Sequence, residues 1–210
     1  RGVSLHLGQR LGTVEFEAGR AVALSFGTKQ KALSRDDALV LAVPPWVAQE
    51  LLPGLTVPDA FRTILNAHFR VAPNPEQPMI LGVVNGLTEW VFAYREHVSV
   101  TISSADRLLC EPRERLAALI WREVDALCGL GPELPPWQIL NERRATFAAV
   151  PDQDVKRPST RTNWTNVVLA GDWTQTDLPA TIEGAVRSGY KAASIIMKEH
   201  ETAHGAIAVP

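Results

Sequence analysis

Val167-Val-Leu-Ala-Gly-Asp-Trp-Thr-Gln-Thr-Asp-Leu-Pro-Ala-Thr-Ile-Glu-Gly-Ala-Val-Arg-Ser-Gly-Tyr-Lys-Ala-Ala193 is the stretch that decides the fold. Asn166 to Ala170 is a short apolar run of the length and β-branched content of a buried strand. It stops at Gly171, and Asp172 stands at its carboxyl end. Pro179 is predicted to open a helix lasting to about His200, with Pro179, Ala180 and Thr181 in its first turn. Ligands of open α/β sheets bind outside the carboxyl ends of strands. Gly171 lets a backbone come close to such a ligand. The first helical turn has N–H groups without intrahelical partners and a partial positive charge. It suits an anion or an electron-rich carbonyl. Small residues at Gly184, Ser188 and Ala192, and again at Ala185, Gly189 and Ala193, recur at a spacing of four, which puts each set on one helix face. A glycine inside a helix costs about 1 kcal/mol relative to alanine, so a close neighbour is expected. Helix-on-helix packing without a ligand explains the pattern equally well, and a lone acid after a strand is more often a cap or turn residue.

Outward from this stretch, the amino-terminal part has the same texture. Val3, Leu5 and Leu7 alternate as in a half-buried strand. Val14 and Phe16, a turn around Gly19, then Val22, Leu24 and Phe26 read as a hairpin. Ala38 to Val43 is a continuous apolar run, suited to a strand buried on both faces of a parallel sheet. It ends at Pro44-Pro45, and one or two helical turns are predicted from Trp46 to Leu52. The middle differs. Strands are predicted at 67–71, 79–84, 89–94 and 98–102, and four in succession imply an antiparallel sheet. Pro112 to Leu127 is then an amphipathic helix, with Leu116, Leu119, Ile120, Val124 and Leu127 at helical spacing and Gly129 and Gly131-Pro132 as its stop.

The 210 residues are 46% hydrophobic and 21% charged, with a net charge of −2. That is ordinary for a globular protein and excludes a nucleic-acid surface, which needs clustered Lys and Arg. The apolar runs are far shorter than the ~20 residues of a membrane span. Cys110 and Cys128 make neither a disulfide framework nor a zinc site and fit a cytoplasmic protein. His200 and His204 lie four apart, but no acid or cysteine is placed with them, so no metal site is expected. His68, on a predicted strand, reads as a satisfied sheet histidine more readily than as a catalytic one. Trp90, Phe92 and Tyr94 alternate on one strand, and Trp173 follows the Gly171-Asp172 pair. Core packing accounts for most such aromatics, although an apolar tunnel for a long isoprenoid needs the same side chains.

The 167–193 segment resembles the carboxy-terminal flavin motif of the FAD-dependent amine-oxidase and phytoene-desaturase superfamily. In that family a "(V/L)-x-L-A-G-D" strand meets the ribityl and phosphate region of FAD, and the next helix points its N-terminus at the flavin N1–C2=O edge. The resemblance assigns Gly171 and Asp172 to the first role and Pro179, Ala180, Thr181 and Ile182 to the second. Residues 35–45 resemble the family's "D-x-V-V-x-A-x-P" strand. Arg10-Leu-Gly-Thr-Val14 matches the place where a backbone group meets the adenine ring, which assigns Leu11. Glu142-Arg-Arg-Ala-Thr-Phe147 and Arg157-Pro158 fit the family's return strand. The 171–189 run looks closest to the squalene-associated desaturase branch.

The resemblance implies an α/β fold with an α+β substrate part: the carboxy-terminal portion of a two-domain enzyme without its G-x-G-x-x-G unit. Residues 1–52 and 146–200 would belong to the FAD-binding domain, 53–145 to the substrate domain, and 201–210 to a flexible tail. The chain begins with Arg1 in mid-pattern, which fits a missing amino-terminal FAD-binding segment. The implied activity is hydride transfer from reduced flavin to an apolar isoprenoid such as hydroxysqualene. Carotenoid desaturation and amine oxidation are the alternatives within enzymes, and a non-catalytic lipid-binding or partner subunit is the alternative outside them. Trp173 and Trp90 are the candidate substrate contacts, no catalytic residue is assigned, and a peripheral membrane contact goes with such a substrate.

Overall fold

The two textures of the sequence become two compact units, Arg1–Asp59 with Ala149–Pro210, and Ala60–Ala148. The structure is a computed structural model that describes residues 2–205, with side chains described to residue 202. It has the mixed strand and helix content of an α/β protein.

In the first unit, β1 (Thr13–Glu17) and β2 (Arg20–Phe26) form the expected antiparallel hairpin. The turn places Ala18 and Gly19 at positive φ. A third strand, β3 (Lys29–Ala32), adds to β2. Its Lys-Gln-Lys-Ala sequence is exposed throughout and shows no apolar alternation, so hydrophobic periodicity does not reveal it. The expected strand at 3–7 is not formed: Val3, Leu5 and Leu7 are exposed, and no neighbour among the described residues pairs with them. Alternation alone makes no strand, because a strand needs a ladder partner for its N–H and C=O groups.

β4 (Leu39–Leu41) and β10 (Val167–Leu169) pair in parallel, Leu39 opposite Val167. β10 is buried along its whole length. β4 departs from the expectation, with Val40 facing outward and Leu41 buried. Asn166, just before β10, ties the hairpin to this pair. Its carboxamide oxygen accepts the Ala21 N–H at 2.8 Å, and its nitrogen donates to Ala21 O at 2.9 Å and Asp37 O at 3.2 Å. Phe16 stacks on Trp164 at 4.4 Å between ring centres. Helix α1 (Pro45–Leu51) follows β4, with proline at its first position, where a missing N–H costs nothing.

The second unit is a five-stranded antiparallel sheet under one helix. The strands are β5 (Phe61–Phe69), β6 (Ile80–Gly82), β7 (Trp90–Ala93), β8 (Val98–Ile102) and β9 (Trp137–Phe147). Their order is β6-β7-β8-β5-β9. The segment 142–147, expected as a return strand toward the first unit, is instead the end of β9, and Phe147 pairs with Phe61 at the start of β5. That pairing sets the edges of the unit, at 60 and 148 instead of 53 and 145. Helix α2 (Arg113–Cys128) buries Leu116, Ile120, Trp121 and Val124 against Leu65, Ala67 and Phe69 of β5 and Val98, Val100 and Ile102 of β8. Gly129 ends it at φ +63°, a left-handed cap that only glycine adopts without strain. The alternate residues of these strands, on the other face of the sheet, lie outside this core cluster.

Helix α3 (Pro151–Asp154) and helix α4 (Ile182–Gly205) complete the first unit. The expected tail at 201–210 divides: α4 continues to Gly205, and 206–210 lie outside the described residues, as does the side chain of His204. No helix of the described residues is long and apolar enough to cross a membrane.

Candidate flavin and substrate sites

In the first unit, the chemistry-bearing segment begins where β10 ends. Gly171 has φ +151°, and a Cβ there would lie 2.4 Å from Trp173 Nε1 and 2.7 Å from its Cδ1. The close approach that requires glycine is therefore made by the protein's own indole. Trp173 is 3% exposed and donates its indole N–H to Val43 O at 2.9 Å. Trp173, expected to meet substrate, is thus buried with its donor taken by Val43 at the end of β4. The Gly171 N–H is also taken, by Ser188 Oγ of α4 at 2.7 Å.

Asp172 is half-buried. Burial pushes its carboxyl up from the usual carboxylate range, and the N–H groups of Trp173 and Asp172 and the nearby Arg157 oppose that rise. Arg157 was not found by sequence reasoning, which placed it in a return strand. It follows α3 in a turn, and its guanidinium is buried. Nε donates to Thr174 O at 3.0 Å, and Nη2 to Thr174 O at 2.6 Å, Thr176 Oγ1 at 2.7 Å and Asp172 O at 3.1 Å. Nη1 pairs with Asp154 at 3.1 Å. These bonds fix the loop between β10 and α4. Its partners in that loop lie 15–19 residues away, so no local spacing signals the role.

α4 begins at Ile182, not at Pro179. Thr181 is its cap: Oγ1 accepts the Gly184 N–H at 3.0 Å, and its C=O accepts the Ala185 N–H at 3.0 Å. Pro179 and Ala180 therefore lie in the approach loop, outside the first turn. Capping leaves the N–H groups of Ile182 and Glu183 without intrahelical acceptors. The tip is not covered by the described residues, and Ile182 is 87% exposed. Of the two small-residue faces, Gly184, Ser188 and Ala192 are buried, with Ala192 against Val168 and Ala170. The Ala185, Gly189 and Ala193 face is open, and a Cβ on Gly189 would meet nothing within 4 Å. Leu11 is partly buried one residue before the hairpin ladder opens with the Gly12 N–H to Ser25 O bond at 2.8 Å.

A flavin fits this arrangement. Donors at the positive end of α4 have no acceptor among the described residues, and a half-buried carboxyl stands at the end of a buried parallel pair. Among the described residues no group of His, Cys, Asp and Glu is placed to hold a metal.

In the second unit, Trp90 sits on the sheet face opposite α2. It is 47% exposed, with its ring over Gly82, whose added Cβ would come within 3.3 Å of it. The same face carries Asn66 and His68 of β5 opposite Thr101 and Ser99 of β8.

The chain matches the model of a family described as flavin containing amine oxidoreductase over residues 1–74 and 92–197. It is 52% identical, over 94% of its length, to a hydroxysqualene dehydroxylase of Rhodopseudomonas palustris, and covers 47% of that protein. It is 51% identical, over 96% of its length, to a hydroxysqualene dehydroxylase of Sinorhizobium fredii, of which it covers 48%. The chain thus spans about half the length of these curated relatives. A crystal structure of an oxidoreductase from Methanosarcina mazei superposes with a TM-score of 0.62 over 89% of this chain and 49% of that one, at 12% identity. This chain belongs to the flavin-containing amine oxidoreductase family.

Proposed function

We propose that this chain supplies the flavin-edge contacts and the substrate surface of an FAD-dependent oxidoreductase that removes a hydroxyl from a long isoprenoid. The reaction its relatives' names support best is conversion of hydroxysqualene to squalene. The observation that carries the reading is the α4 tip. It is uncovered by the described residues, presents donors without acceptors, and directly follows the β10–Gly171–Asp172 turn. Bound flavin would supply hydride chemistry. The chain's own residues do the rest. Ile182 and Glu183 offer backbone N–H groups to an electron-rich ring edge, where the helix dipole favours negative charge. Asp172, held by the Arg157-fixed loop, is the carboxyl for the ribityl and phosphate region, and Leu11 lies where the family meets adenine. Residues of the second unit's sheet line the substrate.

The phosphate-binding βαβ unit of the family would complete the site, and the outer face of α4 supports such a partner. Ile182, Val186, Tyr190 and Met197 are exposed there, an apolar surface of the kind that marks an interaction site. The test is co-production of this chain with a family βαβ segment, followed by flavin absorbance and product analysis with hydroxysqualene, a carotenoid precursor and an amine. Yellow protein that forms squalene supports the reading. Colourless protein that still binds lipid overturns it in favour of a binding subunit.

A further inference from the structure

The second unit's sheet has two edges, and they are managed differently. β6 is only Ile80–Gly82, too short to hold a further strand. β9 is the other edge, runs for 11 residues and pairs with β5 alone. Its register fixes which of its backbone groups are used. The Arg70 N–H donates to Pro136 O at 2.8 Å, and the pairing continues in step through His68 with Gln138 and Asn66 with Leu140. In an antiparallel ladder only alternate residues bond to a given neighbour. The N–H and C=O groups of Trp137, Ile139 and Asn141 therefore point away from β5. None of them has a hydrogen-bond partner among the described residues.

Natural edges are blunted by proline, charge or a bulge, and β9 has all three, but at its ends. Pro135 and Pro136 precede it. Glu142, Arg143 and Arg144 are exposed farther along, where Arg143, Arg144 and Ala145 stand against Thr63 alone in a bulge. The window between, Trp137-Gln-Ile-Leu-Asn141, is uncharged and has no such guard. It is about 17 Å of strand. An open cavity of about 750 Å³ runs along it, lined by Trp137 through Glu142, by Asn66, and by Arg113 and Glu114 at the start of α2. Asn141 adds a further unmet group, because its Oδ1 is buried and accepts no hydrogen bond among the described residues. An apolar ligand would leave all these groups unpaired, at a cost. An extended polypeptide strand satisfies them, with two backbone bonds at each of Trp137, Ile139 and Asn141 and a side-chain donor for Asn141.

We infer that the β9 edge is completed by a further strand, supplied by the amino-terminal half that the relatives possess and this chain does not span. The chain covers 47% of the Rhodopseudomonas palustris protein and 48% of the Sinorhizobium fredii one, so as much polypeptide again is there to supply it. A second copy of this chain fits less well. A window of that length is too short for the roughly 1,200 Å² that a stable interface between separate molecules buries. A strand on the same polypeptide needs no such area, because tethering keeps its effective concentration high. The incoming strand is apolar where it meets Trp137 and Ile139 and carries Ser, Thr, Asn or Gln opposite Asn141. It pairs whether or not flavin is bound.

The test is amide hydrogen exchange resolved to single residues. It compares this chain alone with the chain joined at Arg1 to the amino-terminal half of the Rhodopseudomonas palustris relative. Gln138 and Leu140, bonded to β5, should be protected in both. Trp137, Ile139 and Asn141 should exchange fast in the chain alone and slow on the order of 100-fold in the joined protein, so that the alternation along β9 disappears. Asn141→Pro removes an outward N–H and the Oδ1 acceptor without touching a β5 bond. It should return Trp137 and Ile139 to fast exchange in the joined protein, with Gln138 and Leu140 still protected. Outward amides that stay within about threefold of their rates in the chain alone overturn the inference. Protection in the chain alone that grows with its concentration overturns it too, in favour of a second copy as the occupant. Trp137 and Ile139 that remain protected in Asn141→Pro do the same. Flavin absorbance is recorded in parallel: a colourless joined protein with slowed outward amides counts against the flavin reading and supports the added strand.

Discussion

Gly171→Ala should unfold the first unit far more readily than a one-carbon change suggests. The new Cβ would stand 2.4 Å from Trp173 Nε1 and 2.7 Å from Cδ1, inside any real contact distance. The far side cannot simply yield, because the indole is 3% exposed and bonded to Val43 O. Holding alanine at φ +151° costs about 1–3 kcal/mol. Displacing the indole forfeits its hydrogen bond, about 1 kcal/mol, and part of its packing, on the order of 1–2 kcal/mol. The sum is about 3–6 kcal/mol. With a urea m-value near 2 kcal/mol/M, the unfolding midpoint should fall by about 2 M. The assay is urea titration followed by circular dichroism, in a cycle with Trp173→Ala. In the Trp173→Ala background the glycine change should cost only its backbone share, leaving a coupling of about 2–3 kcal/mol. A midpoint shift under about 0.5 M, or full additivity of the two changes, would refute the reasoning that the indole is what demands glycine.

Three further outcomes follow from the same contacts. Asn166→Ala leaves the Ala21 N–H, Ala21 O and Asp37 O without their partner and should lower stability by about 2–3 kcal/mol in thermal melts. Arg157→Met removes the donors that fix the loop. It should open that loop to limited proteolysis, with cleavage sites mapping between Asp172 and Leu178. Glu123 of α2 accepts the Leu87 N–H at 2.8 Å and the Thr88 N–H at 2.6 Å. Burial alone would raise its pKa, but the Thr88 side chain nearby and the bonds from the Thr88 and Leu87 N–H groups outweigh it and hold it below the ordinary glutamate range. Because the folded pKa is depressed, its stabilisation is present above the unfolded pKa and lost as pH falls through the folded one. Glu123→Gln should therefore cost about 1 kcal/mol at pH 7, and the gap in melting temperature should close below the depressed value.

The parts of the fold legible in the sequence are those fixed by local pattern. The hairpin at Gly19, α2 between Pro112 and Gly129, and the β10–Gly171–Asp172 junction each carry a period or a punctuating residue that acts over a few positions. What stayed hidden depends on distant partners. β3 is a strand because β2 offers it a ladder, not because Lys-Gln-Lys-Ala favours one. Val3, Leu5 and Leu7 show the converse: good alternation, but no partner among the described residues. Thr181 was legible as a polar residue near a helix start. The proline at 179 drew the boundary three residues early because proline and threonine both signal a beginning, and only the cap bond to Gly184 separates them. Arg157 had no signal at all, since a buried guanidinium declares itself only through its acceptors.

Trp173 and Trp90 show why an aromatic's role follows from its neighbours and not from its place in a motif. Trp173 stands next to the flavin-type turn, yet it is buried, with Gly171 against its pyrrole edge and its N–H on the carbonyl of Val43. Its function is to lock the end of β4 to the end of β10, so that Asp172 emerges at a defined point. Trp90 lies on an edge-side strand with a glycine opposite it on β6. Glycine gives the indole a flat backbone to rest on, and the ring is left 47% exposed. The same residue type is thus held still in one unit to position a carboxyl and laid open in the other beside a row of hydrogen-bonding groups. The same comparison bears on α4. Its Gly184 face is filled by its own approach loop, with Pro179 O and Thr181 Oγ1 each 3.3 Å from an added Cβ, whereas its Gly189 face meets nothing. A glycine that nothing touches weakens a helix without return, and that imbalance is what an element packed on the outer face would correct.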